Sequence, residues 1–102
     1  MELKAGSRWR SAVCDTEVVI VRAPTGTPLL ECGGQPMIPH DMERPPGAEI
    51  DGAHSGGTQM GKRFADPDTG IEVLATKGGA GSLSLDGQPL ALKDAKPLPS
   101  SD

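Results

Sequence analysis

The sequence predicts an all-β fold made of two small tandem units. Three observations carry this. First, the chain repeats itself: Gly6, Arg8, Trp9, Glu17, Val18, Arg22, Gly26, Leu30 and Glu31 are followed 55 positions later by Gly61, Arg63, Phe64, Glu72, Val73, Lys77, Gly81, Leu85 and Asp86. After a two-residue deletion, Gly34-Gln35-Pro36-Met37 recurs as Gly87-Gln88-Pro89-Leu90. Second, the apolar residues fall in short β-branched runs, and 14 Gly and 10 Pro break the chain between them. Third, no stretch keeps a helical period for two turns. One such unit has too little apolar surface to fold alone, so the two are expected to pack together.

Taken in order, residues 1–40 form the first unit. Residues 8–13 alternate loosely and meet Cys14-Asp15. Glu17-Val18-Val19-Ile20-Val21-Arg22 is the strongest strand signal, β-branched and bounded by turn residues. Residues 23–28 turn, Leu29-Leu30-Glu31-Cys32 returns as a short strand, and Gly33-Gly34-Gln35-Pro36 turns again before Met37-Ile38. The unit reads as a meander of three or four strands. Residues 41–60 form an irregular connector rich in Pro and Gly, expected to be a flexible linker or a segment held by a partner. Residues 61–92 are the second unit: a strand over Ile71–Thr76, a hairpin loop at Lys77–Gly81, alternation at Ser82–Leu85, a turn at Asp86-Gly87 and a last strand over Gln88–Leu92. Residues 93–102 read as a tail.

Composition narrows the function. Hydrophobic residues make up 35% of the chain and aromatics 2%, so the core is thin. The net charge is -4, with -3 of it in residues 41–60. There is no basic stripe and almost nothing for bases to stack on, which disfavours nucleic acid as a partner. The opening residues lack the apolar stretch of a signal peptide, and no apolar run is long enough to span a membrane. The expected setting is the cytoplasm, where two cysteines more often serve as free thiols or metal ligands than as a structural disulfide.

The first unit then invites comparison. Trp9-Arg10-Ser11-Ala12-Val13-Cys14, Glu17–Val21, and Leu29-Leu30-Glu31-Cys32-Gly33-Gly34-Gln35-Pro36-Met37 together resemble desulforedoxin, the small rubredoxin-like iron module. That family places an aromatic residue before a C-x-x-C pair. A β-branched strand, a Gly-rich turn, an adjacent cysteine pair, a Gly and a Met follow. The resemblance covers about residues 8–38, and the second unit would be a copy without cysteine. Ser11 stands where the first cysteine of C-x-x-C is expected, Glu31 takes one place of the adjacent pair, and one extra residue precedes Met37. Two thiolates cannot make the family's four-thiolate iron site. The resemblance therefore implies the small β fold with knuckle turns, and it implies that the Cys14 and Cys32 sulfurs lie close together.

Several roles stand open for these thiols. They are inert buried groups, a disulfide or redox couple, or half of a zinc or iron site completed by His40, His54, Asp15 or Glu31. The candidate metal ligands are Cys14, Cys32 and His40, for a single ion if there is a cofactor at all. Both histidines sit in or beside the connector and also read as solvated loop residues. Asp66–Glu72 reads as a turn because a calcium loop would need more early oxygen ligands and a later glutamate. Thr76–Ser82 lacks the Walker order and reads as a turn too. No nucleophile, base and orienting group come together in sequence, so no catalytic residue is assigned. The expected role is a small non-catalytic accessory or binding subunit working with a larger protein. The alternative is a metal or redox module centred on Cys14 and Cys32.

Overall fold

The computed structural model describes residues 2–44, 47 and 49–93. Pro45, Pro46 and residues 94–102 of the expected tail lie outside the described residues. The fold is all-β, with two antiparallel sheets. The strands are β1 (Arg8–Arg10), β2 (Glu17–Arg22), β3 (Leu30–Cys32), β4 (Gln35–Pro36), β5 (Ile38–Pro39), β6 (Arg63–Ala65), β7 (Glu72–Lys77), β8 (Leu83–Leu85), β9 (Gln88–Pro89) and β10 (Ala91–Lys93). A single 3-10 turn, Gly52–His54, is the only helical element among the described residues. The larger sheet runs β10-β6-β7-β2-β1-β5 and the smaller β4-β3-β8-β9.

Both sheets draw on both halves of the chain. In the larger sheet β2 pairs with β7, with Val19 opposite Leu74. In the smaller sheet β3 pairs with β8, with Glu31 opposite Ser84. The β2 run alternates as a half-buried strand should, with Val18 and Ile20 inward and each 1% exposed. Val73 and Ala75 do the same on β7. Leu30, Cys32, Leu83 and Leu85 face them from the smaller sheet, and Met37, Ile71 and Leu90 complete the cluster. Burying each of the larger aliphatic side chains stabilises the fold by roughly 1.5–3 kcal/mol. Trp9 and Phe64 pack against this core half-buried, Trp9 opposite Val18 and Phe64 opposite Val73.

The meander expected of each unit is interrupted at two corners. The last strand expected over Gln88–Leu92 is two short strands, β9 and β10, in different sheets. The chain changes sheet at buried Leu90, as it does at buried Met37 between β4 and β5. An apolar side chain at each corner seals the edge between the layers. Lys93 belongs to β10 rather than to a tail, because its ammonium reaches the Glu72 carboxylate at 2.7 Å. Arg63 holds the same carboxylate at 3.3 Å, so Glu72, 7% exposed, ties β6 and β10 to β7. Two-residue turns close β3–β4 at Gly33-Gly34 and β8–β9 at Asp86-Gly87, all four residues at positive φ. That backbone matches the twist of a hairpin and explains Gly and Asp there.

The loop at Lys77–Gly81 is not a hairpin. It carries the chain from β7 in one sheet to β8 in the other. The connector also differs from expectation, because its second half is laid along its own domain. Ile50 packs on the core, the Asp51 amide donates to Gly33 O at 2.9 Å, and the Ser82 amide donates to His54 O at 2.8 Å. Asp51 caps the 3-10 turn by accepting from the Ala53 amide. Thr58 then forms an antiparallel bridge with Gly79.

Candidate dithiol site

The β1–β2 connection places the first sulfur. The Ser11 amide donates to Thr16 O at 2.8 Å, pinching the segment into a tight turn. Within it, Ser11 Oγ accepts from the amides of Val13 and Cys14, both at 3.1 Å. A short side-chain oxygen bonded to amides two and three residues on is what makes such a turn rigid. Ser11 and Thr16 are fully buried, and Cys14 is 9% exposed. From the connector, Arg44 holds the outside of the turn, donating to Cys14 O at 3.2 Å and to Asp15 Oδ1 at 3.3 Å.

The second sulfur comes from the end of β3, where inward-facing Cys32 is fully buried just before the Gly33-Gly34 turn. The two sheets thus each deliver one thiol to the core, and the sulfurs lie 3.8 Å apart. Both cysteines are free. A disulfide needs about 2.05 Å between sulfurs, so the pair is in van der Waals contact and unbonded.

The β7–β8 loop covers the pair. The Gly81 amide donates to Cys14 Sγ at 3.4 Å. A methyl at Gly79 would stand 2.5 Å from Thr16 Oγ1 and 3.0 Å from Cys14 Sγ, and one at Gly81 would stand 2.9 Å from Gly33 N and 3.1 Å from Cys32 Sγ. Only glycine lets this backbone lie directly on the sulfurs. The connector clamps the loop from outside: Thr58 Oγ1 donates to Gly81 O at 2.8 Å, and Thr58 and Gly79 exchange two backbone hydrogen bonds.

The two thiols differ sharply in acidity. For Cys14, burial opposes ionisation, but hydrogen bonds from the Ser11 and Thr16 side chains and from the Thr16 and Gly81 backbone outweigh it, bringing its pKa down from 9.0 to about 7. The Thr16 hydroxyl lies 3.2 Å from the sulfur; it accepts from the thiol and can donate to the thiolate. For Cys32, burial pushes the pKa up and the nearby charge of Cys14 adds to it, reaching about 12. Cys14 is thus the more acidic of the two thiols, and Cys32 keeps its proton near neutral pH.

Of the other candidate ligands, His40, Glu31 and Asp15 are engaged elsewhere. His40 Nε2 sits 3.1 Å from Glu17 Oε1, and its amide donates to Arg8 O. Glu31 faces away from the sulfurs and accepts from the Gly87 amide at 2.9 Å and the Ser84 hydroxyl at 3.4 Å. Asp15 pairs with Arg44. His54 lies in the 3-10 turn. Among the described residues, no group of three or more His, Cys, Asp or Glu side chains is gathered as a metal ion would require.

Sequence reasoning brought Cys14 and Cys32 together but missed Thr16, Gly79, Gly81 and Thr58. Thr16 lies next to the turn with no pattern to distinguish it. The glycines carry a signal, two of them one residue apart, which a hairpin reading absorbed. No protein-family model, curated protein or solved structure matches this chain. No helix among the described residues is long and apolar enough to cross a membrane.

Proposed function

We propose that the chain is a small thiol–disulfide redox module centred on Cys14 and Cys32. The observation that carries this reading is the pair itself: two sulfurs at 3.8 Å, one hydrogen-bonded for ionisation and the other buried and protonated. A dithiol works as a redox couple when one member is a thiolate and the other can close onto it. In the cytosolic setting expected from the sequence, the pair rests reduced. Oxidation by diamide followed by peptide mapping tests this. The expected product is a monomer with one Cys14–Cys32 bond. Recovery of both thiols unmodified would return the pair to the status of inert core residues. Zinc or iron binding would draw on the same two sulfurs, half of a tetrahedral set. An elemental assay finding about one metal ion per chain would favour that use.

The fold reading that accompanies this proposal is a pair of degenerate desulforedoxin-like units. It is supported by strand lengths that run in nearly the same order in both halves, and by Trp9 and Phe64 standing opposite Val18 and Val73. The central pairings are symmetric about Val19–Leu74 and Glu31–Ser84, the second only with the two-residue deletion placed before β3, so that Leu30 corresponds to Leu83 and not to Leu85. Ser11, at the position where the resemblance expects the first cysteine, holds the amides of Val13 and Cys14 through its Oγ.

A second reading, an accessory subunit seated on a larger protein, is supported by the exposed apolar side chains. Leu92 on edge strand β10 is 49% exposed and Met60 is 69% exposed. Among the described residues no strand pairs with the outer edge of β10, and such an edge can accept a partner strand. Replacing Leu92 with Lys should then abolish co-purification with a larger protein while leaving the unfolding midpoint unchanged. Unaltered co-purification would remove this support.

A further inference from the structure

We infer that the oxidant of the Cys14–Cys32 pair is a small hydroperoxide, with Cys14 as the attacking thiolate and Cys32 as the thiol that resolves it. This rests on the redox reading above and adds the class of substrate. Three observations point to it.

The first is access. Exchange with another disulfide requires three sulfurs in line, so the incoming sulfur must reach Cys14 along one axis. Cys32 is fully buried and Cys14 is 9% exposed. The backbone at Gly79 and Gly81 lies so close that added methyls would stand 3.0 Å from Cys14 Sγ and 3.1 Å from Cys32 Sγ. The Thr58–Gly79 bridge and the Thr58 Oγ1 bond to Gly81 O hold that backbone down. A peptide disulfide has no room beside such a collar, whereas hydrogen peroxide, only two heavy atoms long, needs far less of the sulfur's surface and can approach Cys14 from its exposed 9%.

The second observation is the polar lining. Cys14 Sγ is surrounded by a hydroxyl at Thr16 and an amide hydrogen at Gly81. Both can donate to an oxygen that gains charge beside the sulfur. The third is the resolving thiol, already 3.8 Å away, so that no large rearrangement stands between the first oxidised product and the disulfide.

The chemistry balances without a further reagent. The Cys14 thiolate attacks the outer oxygen of the hydroperoxide. The S–O bond forms as the O–O bond breaks, and the leaving oxygen takes up a proton and departs as water or an alcohol. Cys14 is then a sulfenic acid. The Cys32 sulfur attacks the Cys14 sulfur, the S–S bond forms, the S–O bond breaks, and the Cys32 proton leaves with the hydroxyl as water. Two thiols and one hydroperoxide become one disulfide, one water and one water or alcohol.

The test uses the full chain, reduced and free of oxygen. Disulfide formation is timed with hydrogen peroxide and with glutathione disulfide, and the ratio of the two rates is compared with the same ratio for the chain unfolded in urea. The folded chain should favour peroxide by roughly tenfold or more over that reference, since only the larger reagent meets the collar. After peroxide treatment and unfolding in urea with dimedone present, Cys32→Ser should carry a dimedone adduct on Cys14, and Cys14→Ser should carry none on Cys32. A folded ratio equal to the unfolded one would overturn the hydroperoxide assignment while leaving the redox reading intact, and so would a dimedone adduct on Cys32. If neither reagent nor diamide forms the bond in the folded chain, the redox reading falls as well. The rate comparison is made on the unaltered protein, so it stands whether or not either variant folds.

Discussion

Cys14 is where sequence chemistry and fold meet most tightly. The hydroxyls of Ser11 and Thr16 and the Gly81 amide bring its pKa down to about 7 against the opposing effect of burial. The thiolate is the reactive form, so alkylation should be slow well below pH 7 and rise through a midpoint near it. Cys32, held near 12, should stay silent over that range. Thr16→Val removes one donor to the thiolate. A hydrogen bond to a charged group is worth about 1.5–3 kcal/mol, and one pKa unit corresponds to about 1.4 kcal/mol, so the midpoint should move up by about one pH unit or more. Iodoacetamide rates measured from pH 5 to about 10 would show this; an unmoved midpoint in Thr16→Val would remove the hydroxyl from the site's chemistry. Ser11 was legible in the sequence as the position where a cysteine was missing. Its working role, an oxygen accepting the Val13 and Cys14 amides, was not, because a serine in a loop has many uses.

At the scale of elements, the strands were largely legible and their partners were not. The β-branched run of β2 and the Gly33-Gly34 and Asp86-Gly87 turns are local signals, and the chain folds there as they direct. Sheet membership depends on contacts far apart in sequence, such as Val19 with Leu74, which no local pattern encodes. The β7–β8 loop was therefore read as a hairpin although it crosses between sheets. Its glycines are now assigned to close approach: Gly79→Ala should cost about 1–3 kcal/mol through overpacking against Thr16 and Cys14, read as a lower denaturation midpoint. A neutral Gly79→Ala would mean the loop stands off the sulfurs. The connector makes the opposite lesson. Its Pro and Gly content predicted a segment without its own order, yet Ile50, Asp51, His54 and Thr58 bind it to the turns around the thiols. The amides of Asp51 and Thr58 should exchange with solvent more slowly than those of exposed loops in the isolated protein. Exchange at unprotected rates would return the connector to a partner-held segment.

For the whole molecule, the thiol pair stands between the two sheets, beside the places where the chain crosses from one to the other. Cys14 leaves the larger sheet between β1 and β2, and Cys32 ends β3 in the smaller one. Oxidation would therefore staple the two layers of a thin core. Closing a loop of this length is worth about 3 kcal/mol in the unfolded chain, a large share of the stability of a small domain. The oxidised protein should unfold at a correspondingly higher urea concentration than the reduced one, and equal midpoints would mean that bond formation strains the native geometry as much as it constrains the unfolded chain. The most direct measurement is a redox titration of the full chain in graded mixtures of reduced and oxidised dithiothreitol, brought to the same equilibrium from both the reduced and the peroxide-oxidised chain, quenched by alkylation and read by mass. A reversible two-electron pair predicts one transition in which both thiols disappear together, with a monomeric Cys14–Cys32 disulfide at the oxidised limit. Two thiols still free at that limit, or bonds formed only between chains, would contradict it.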